Sequence, residues 1–446
     1  MPIPYFSLFI GELPGKPDRL FATAARLRSN AGEAADIHSD VRRSDGFVPN
    51  WKGKSAAAFN VSKNVQSEDL AVLSGGLSDG AESLEAFAWI LSERKKAVAE
   101  QRAILKDYDR QVNEAPDADK KKVYDDLKDS ASRIRAEYHN TFKQTEEDAT
   151  VCAAEMRKHL HIEPLNRNNG TSIGRRTDLS DDDIKRINGQ LENPDPNLVN
   201  QGSIGDCYYL ASLAAIMQTD KGDEWLRSCV KPHYDEAGRQ DGYLVTVYDD
   251  PLHPDSSASQ TVLVTDVYQN GVKGKDGEPS LASIFESAYG QIHPGGTAGS
   301  TPNGQGIGSG RSTDAMKDIT GEEAKRIDRN EGFIGLFSGY SEEQRTEIGN
   351  AAKDHPVVAD TNASLPGFDK DGNGKATVTI NGQPQTINIV SNHSYTVVSS
   401  DSNGVTMRNP WGLNQTDGED APAEFTMSWE DFEKYYGDVA IGNYPS

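Results

Sequence analysis

The chain has 446 residues, of which 69 are acidic and 46 are basic, so its formal net charge at pH 7 is −23. A surface with this excess of carboxylates repels nucleic acid and anionic membranes, and we therefore exclude nucleic-acid binding. No apolar stretch reaches the length of a membrane span. The three cysteines, Cys152, Cys207 and Cys229, are too few and too scattered for a disulfide scaffold or a zinc site. A chain of this length is expected to form two or three domains.

The first ten residues contain a short apolar run without a basic leader or a small-residue cleavage site. This pattern is not that of a signal peptide. If the protein is exported, we expect another route.

Residues 1–160 are predicted to form an all-α bundle. One helix covers about residues 16–43, and a second begins after Trp51-Lys52-Gly53. Within the second helix, apolar residues recur at intervals of seven: Leu84, Leu91, Val98, Leu105 and Val112. This seam predicts a long helix packed in coiled-coil fashion, and a further helix over about 119–159 is expected to pack back against it.

The Trp51-Lys52-Gly53 turn between two helices resembles the WxG family of helical hairpins, which type VII secretion systems export. The resemblance implies that residues 1–160 are a secretion or docking module with a WxG-type partner. The family's export signal is a tyrosine followed four residues later by an acidic residue. None of Tyr108, Tyr124 and Tyr138 on the predicted helices has an acid at that spacing. A partner could supply that signal. The alternative is a tryptophan that only caps the bundle core.

Residues 161–190 are predicted to be an exposed linker, because residues 166–176 are polar, contain glycine and show no hydrophobic periodicity. The Arg175-Arg176 pair is either a processing site or, as is commoner, solvated linker charge.

Cys207 opens an apolar helical pattern that follows a glycine-containing loop starting at Gln201. The N-terminus of a helix stabilises a thiolate, which is the nucleophilic form of cysteine. Gln201 is placed to bind an oxyanion together with a backbone N–H. The alternative for a lone cysteine is a small buried hydrophobic residue.

Two strands, 394–399 and 405–408, are predicted to form a hairpin with a turn at 401–404. His393 precedes the first strand and Asn409 follows the second, so the hairpin would bring both to its open end. In the thiol variant of a catalytic triad, an asparagine orients a histidine, and the histidine deprotonates a cysteine. Taken singly, a surface histidine and a turn asparagine before Pro410 would be the simpler interpretation.

Several ordered motifs together resemble the calpain family of cysteine proteases. They lie at 201–211, 285–289, 313–321, 392–395, 408–412 and 428–443. The resemblance implies that residues 191–446 form a two-lobed papain-like domain, with a helical lobe carrying the cysteine and a β-rich lobe carrying the histidine and asparagine. It also implies a Cys207, His393 and Asn409 triad, with Gln201 in the oxyanion hole and Trp411 packed beside the His–Asn pair. The whole chain is thus expected to be α+β.

The calpain resemblance also implies calcium binding, although the family's carboxylate positions match poorly. Glu424 matches clearly, and Glu419 and Asp420 lie nearby. A second candidate set has the spacing that opens an EF-hand loop: Asp369, Asp371 and Asn373. The twelfth position of that loop is Ile380 rather than glutamate, which favours a hairpin turn. We therefore expect no obligatory cofactor, with calcium as an optional one.

These observations predict a cysteine endopeptidase that acts on protein substrates. One role is that of a secreted effector or toxin, exported by a type VII-like route and neutralised by an immunity protein. The alternatives are an intracellular, cytoplasmic regulatory protease and a catalytically inactive interaction scaffold.

Overall fold

The structure is a computed structural model that describes residues 5–43, 54–160, 176–235, 237–249, 251, 259–293, 295–297, 306–330 and 339–445. The predicted Trp51-Lys52-Gly53 turn, residues 161–175 of the predicted linker, and Arg175 lie outside these ranges. The chain divides into two compact units, Met1–Ile162 and Glu163–Ser446. The first is helical and the second is rich in β-strands, which confirms the predicted mixture of a helical N-terminal region and a β-containing remainder.

In its described residues, the N-terminal unit contains three helices: α1 (Pro17–Arg43), α2 (Lys54–Glu114) and α3 (Lys120–Leu160). The predicted heptad seam on α2 is confirmed, since four of its five residues are buried: Leu91, Val98, Leu105 and Val112. The chain turns at Pro116, whose carbonyl accepts the N–H of Asp119 at 2.8 Å. None of the described helices combines the length and the apolar character that crossing a bilayer requires.

The apolar run at the N-terminus packs on this unit. Phe6 is buried and stacks on Tyr124, with ring centroids 4.6 Å apart. Asp109 accepts the N–H of Ser7 at 2.9 Å, and Arg135 donates to the carbonyl of Phe6 at 2.7 Å. These residues therefore complete the apolar core between α2 and α3.

The second unit contains seven helices in its described residues: α4 (Asp181–Glu192), α5 (Cys207–Ile216), α6 (Asp220–Cys229), α7 (Leu281–Ile292), α8 (Ser312–Thr320), α9 (Glu342–Ala351) and α10 (Trp429–Tyr435). The first five strands are β1 (Arg176–Asp178), β2 (Val230–Tyr234), β3 (Gln240–Val247), β4 (Gln260–Val264) and β5 (Asp266–Tyr268). The others are β6 (Lys325–Asp328), β7 (Val357–Thr361), β8 (Asn373–Ile380), β9 (Gln383–Val390), β10 (Ser394–Ser400), β11 (Gly404–Asn414), β12 (Ala421–Ser428) and β13 (Tyr436–Ile441).

The predicted linker is wrong for residues 176–190, because these residues are folded. β1 pairs with β5, and α4 begins with a capping box in which Ser180 and Asp183 exchange side-chain and backbone hydrogen bonds. Ile184 and Ile187 of α4 are buried. The physical reason is amphipathicity: Asp181 and Asp182 face solvent, the buried Asp183 caps the helix N-terminus, and the isoleucines enter a core.

Two large apolar cores organise the second unit. The helix-side core includes the apolar residues of α4, α5 and α7 and of the three-stranded sheet β2-β3-β4. The sheet-side core lies on an eight-stranded sheet of order β6-β13-β7-β10-β11-β12-β8-β9, whose neighbouring strands pair in antiparallel fashion. Between them, Ala211 and Ala215 of α5 pack against Val358 of β7 and Ala440 of β13. Because these side chains are small, α5 lies close against the sheet.

The EF-hand-like segment forms a turn that leads into the β8–β9 hairpin. One carboxylate oxygen of Asp369 accepts the backbone N–H groups of Asp371 and Asn373, each at 2.9 Å. The following residues pair as β8 with β9 rather than entering a helix. The favoured prediction, a hairpin turn, is confirmed.

The assignment of α4 to the core generates a stability prediction. Ile187→Ala should lower the free energy of unfolding of the second unit by about 2–5 kcal/mol, because Ile187 is fully buried and the substitution leaves a cavity. Lys185→Ala, on the exposed face of the same helix, should change it by about 0.5 kcal/mol or less. Urea denaturation of residues 176–446 measures both. Equal stability of the two variants would contradict the assignment of α4 to the core and would favour an exposed linker.

Candidate active site

Cys207 is the first residue of α5, at the end of a helix whose next nine residues are all buried. Its partly exposed side chain lines a cleft of about 740 Å³. Gln201, His393 and Trp411 line the same cleft. A groove of about 860 Å³ beside α9 is larger but contains no cysteine or serine. The cleft at Cys207 is therefore the candidate active site.

The predicted β10–β11 hairpin is confirmed, and it joins two residues that are sixteen positions apart. Nε2 of His393 lies 3.0 Å from Oδ1 of Asn409, and both side chains are buried. The backbone N–H of Trp411 also donates to that oxygen, at 3.1 Å, which fixes the orientation of the carboxamide. Because Oδ1 only accepts, Nε2 carries the proton. Nδ1 is the ring nitrogen left for a thiol.

The imidazole of His393 is held by its surroundings. The Trp411 ring lies beside it with centroids 4.9 Å apart, as predicted, and Tyr395 contacts it edge-on at 4.9 Å. The backbone N–H of His393 donates to Oγ1 of Thr361 at 2.8 Å. Sequence reasoning did not identify Tyr395 or Thr361 as part of the site, since their contacts depend on the pairing of β7 with β10.

Gln201 lies on the loop before α5. Its backbone N–H donates to the carbonyl of Pro410 at 2.8 Å, which ties this loop to β11. Its side-chain Nε2 donates to the carbonyl of Ile204 at 2.7 Å and reaches Oδ1 of Asp206 at 3.4 Å. The second contact exceeds the ordinary hydrogen-bond length, so the Asp206 carboxylate orients this N–H by its charge and leaves it available to an oxyanion.

The cysteine and the histidine are both neutral at pH 7. Burial raises the pKa of Cys207 to about 11; the Asp206 and Asp360 carboxylates raise it further, while hydrogen bonding from Ser394 lowers it. Burial also lowers the pKa of His393 to about 4, against the hydrogen bond to Asn409. Both shifts oppose a resting thiolate, because burial and nearby carboxylates counter the effect of the helix terminus. In the described part of the chain, no hydrogen bond joins Sγ of Cys207 to the ring of His393.

The calcium candidates do not form a ligand cage. Glu424, Glu419 and Asp420 are exposed, and Glu424 lies on β12 opposite Arg408. In the second set, backbone N–H groups already occupy one carboxylate oxygen of Asp369. Across the described ranges, no group of three or more His, Cys, Asp or Glu side chains is arranged to hold a metal ion.

Searches with protein-family models and against curated proteins found no match to this chain. The arrangement around Cys207 therefore has to carry the functional assignment. It combines a potential nucleophile, a base oriented by a carboxamide and an amide donor in one cleft.

The neutral resting thiol generates a reactivity prediction. Iodoacetamide should modify Cys207 faster as pH rises from 7 to 10, by about tenfold per unit, because the thiolate fraction rises in that proportion below the pKa. Peptide mapping by mass spectrometry separates Cys207 from the two other cysteines. A rate that is constant between pH 5 and 8 would show an ion-paired thiolate instead.

Proposed function

We propose that this protein is a cysteine endopeptidase of the calpain type that hydrolyses peptide bonds in protein substrates. The observation that carries the proposal is that Cys207 shares a cleft with His393, whose Nε2 is held by Asn409. This leaves Nδ1 as the base, which is the division of labour that a thiol protease requires.

The placement of these residues supports a two-lobed, papain-like organisation of residues 191–446. Cys207 belongs to the helix that packs in the helix-side core, whereas His393 and Asn409 flank a hairpin of the eight-stranded sheet. The cleft lies where these two parts meet. Substrate bound there would contact the nucleophile from one side and the base from the other.

Acylation starts when a peptide carbonyl enters the cleft. Nδ1 of His393 accepts the proton of Cys207 while Sγ forms a bond to the carbonyl carbon. The carbonyl electron pair moves to oxygen, which the Gln201 amide and the backbone N–H of Cys207 stabilise. That N–H lies in the first turn of α5, where it has no partner within the helix. Collapse breaks the C–N bond, and Nδ1 gives its proton to the leaving amine.

Deacylation uses the same groups. Nδ1 of His393 accepts a proton from water, and the hydroxide adds to the thioester carbon. Collapse then breaks the C–S bond, releases the carboxylic product and returns the proton to Sγ. The Trp411 ring covers the His–Asn pair, which keeps water from competing for the hydrogen bond to Asn409.

The protonation states of the free protein are compatible with this cycle. Catalytic hydrogen bonds are often incomplete before substrate binds and tighten in the complex. Substrate binding would bring Sγ and Nδ1 together, and charge separation within the pair would then occur as sulfur attacks. A resting neutral pair also keeps the thiol unreactive towards other electrophiles.

We further propose that residues 1–160 act as a docking or export module, with a WxG-type partner and a type VII-like secretion route. Three long helices support docking to another helical protein. The heptad seam of α2 is already buried within this unit, so docking would use other faces of the helices. In that role the protease would be an effector or toxin, and an immunity protein would occupy its cleft. Secretion assays with and without residues 1–160 separate this role from that of a cytoplasmic regulatory protease. The inactive-scaffold alternative has less support, because the His–Asn pair and the nucleophile share one cleft.

Cys207→Ala should reduce cleavage of a protein substrate by about 10³-fold or more, because it removes the atom that forms the thioester. Cys229→Ala removes a buried cysteine of α6 that does not line the cleft, and it should retain activity. Mass spectrometry of the cleaved peptides measures both variants, and circular dichroism checks their folding. Undiminished proteolysis by folded Cys207→Ala would refute the assignment.

Asn409→Ala should lower kcat by a factor on the order of 10², with a smaller change in KM, because the ring of His393 loses the acceptor that sets its tautomer. Asn403→Ala lies in the exposed turn of the same hairpin and serves as the matched control. Steady-state kinetics with one peptide substrate compare the two. Equal kcat values would remove Asn409 from the mechanism.

A further inference from the structure

Two carboxyl groups are buried together behind the nucleophile. Asp206 immediately precedes Cys207, and Glu286 lies in the middle of α7. Both are fully buried. They lie close enough for each carboxyl group to act on the pKa of the other, through charge and hydrogen bonding. Asp206 occupies the N-cap position of α5, yet its side chain makes no capping hydrogen bond. Its carboxylate is therefore directed to other partners.

Glu286 is seated by the loop that follows β5. The backbone N–H of Val272 lies 3.0 Å from each of its carboxyl oxygens. Gly271 makes room for this contact, since a Cβ there would lie 2.1 Å from Oε2 of Glu286. The same loop holds the segment that carries Gln201, because the backbone carbonyl of Asn270 accepts the N–H of Ser203 at 2.8 Å. Glu286 thus lies between α5 and the loop at residues 270–272, which holds the segment that carries Gln201.

One carboxylate oxygen of Asp206 still needs a hydrogen-bond donor. Oδ1 faces Nε2 of Gln201 at 3.4 Å. Oδ2 is buried, and it receives no hydrogen bond from an N–H or hydroxyl group of the described residues. A buried carboxylate oxygen without a donor is costly. The proton of the neighbouring carboxyl group can satisfy it, since two adjacent carboxylates in a dry interior cannot both ionise.

We propose that Glu286 is a protonated positioning residue, which donates its carboxyl proton to Asp206 and thereby holds the Gln201 amide in the cleft. The inference rests on the proposed function, because Gln201 matters for catalysis only if an oxyanion forms beside it. Glu286 does not touch the reacting atoms. It acts through Asp206 and Gln201.

The charges around the pair agree with a retained proton. Burial raises the pKa of Glu286 well above its usual range, and the charge of Asp206 raises it further. Burial likewise raises the pKa of Asp206, against the hydrogen bonds that it receives. Arg176 on β1 is a cation that acts on Glu286, but its guanidinium pairs with Asp266 at 2.9 Å and lies over the Tyr268 ring.

The groups that α5 presents on this side do not supply a positive charge. They are Cys207, Tyr208 and Tyr209, and burial raises the pKa of each. They are neutral at pH 7. They therefore supply no positive charge that would draw the proton from Glu286.

The pair should make both activity and stability depend on pH. As pH rises towards the pKa of Glu286, which burial raises well above its usual range, the pair loses its proton, and two carboxylates then repel each other beneath Gln201. The pKa of Glu286 in the folded protein lies above the unfolded value of about 4.3. Its contribution to stability is consequently complete below that value and is lost as pH rises towards the folded pKa.

The experiment compares the full chain with Glu286→Gln and Glu286→Leu. Glutamine keeps a donor to Asp206 and an acceptor for Val272, whereas leucine keeps neither. Fluorescein-labelled casein is the substrate, and kcat and KM are measured from pH 5 to 9. At pH 6, we expect Glu286→Gln to retain kcat within about twofold, and Glu286→Leu to lose at least about tenfold in kcat with little change in KM. The alkaline loss of activity should disappear in Glu286→Gln.

Two measurements test the pair independently of proteolysis. Infrared spectra of protein labelled with ¹³C-glutamate should show a protonated carboxyl band at pH 7 in the wild type and lose it in Glu286→Gln. NMR spectra of protein labelled with ¹⁵N-glutamine should show a changed chemical shift of the Gln201 side-chain amide in Glu286→Leu and no change in Glu286→Gln. The Gln201→Ala variant assigns this signal. Relative to the wild type, Glu286→Gln should gain thermal stability as pH rises from the unfolded pKa of about 4.3 towards the folded pKa of Glu286.

The outcomes separate the two proposals. Absence of the protonated band, or an unshifted Gln201 amide in Glu286→Leu, overturns the positioning role whatever the protease activity. Both spectroscopic signals without cleavage of casein by the wild type support the pair and count against the protease. If Glu286→Leu fails to fold, Glu286→Gln still decides through the infrared band and the pH dependence of its stability.

Discussion

The close packing of α5 against the eight-stranded sheet determines where every other group of the site can lie. Ala211 and Ala215 meet Val358 and Ala440 at this contact, and Oγ1 of Thr396 donates to the carbonyl of Ala211 at 2.7 Å. Larger residues would hold the helix away from the strands. Because β10 carries Thr396 and begins directly after His393, the same contact brings the base to the end of the helix that bears Cys207.

Burial decides the electrostatics of this region. The chain carries a strong excess of acids, but the groups next to Cys207 are buried, and burial shifts several of them towards their neutral forms. The pKa of Cys207 and those of Asp206 and Glu286 rise, and the pKa of His393 falls, in each case with burial as the largest cause.

Much of the local structure could be read from residue patterns. The heptad of α2, the start of α5 at Cys207 and the turn between β10 and β11 depend on spacing and on turn residues, which act over a few positions. The same reasoning misjudged residues 176–190. The segment is polar overall and contains a glycine at 189, so it looked like a linker. Ile184 and Ile187 are nevertheless buried, because their packing partners lie far along the chain.

The sequence by itself determined which residue types are available for thiol chemistry and that His393 and Asn409 stand at one end of a hairpin. Only the tertiary structure decided that this hairpin meets the Cys207 helix, because that contact joins segments almost two hundred positions apart. It also decided the protonation states. A helix terminus favours a thiolate locally, but the water removed by packing, and the carboxylates brought near by distant strands, depend on the complete fold.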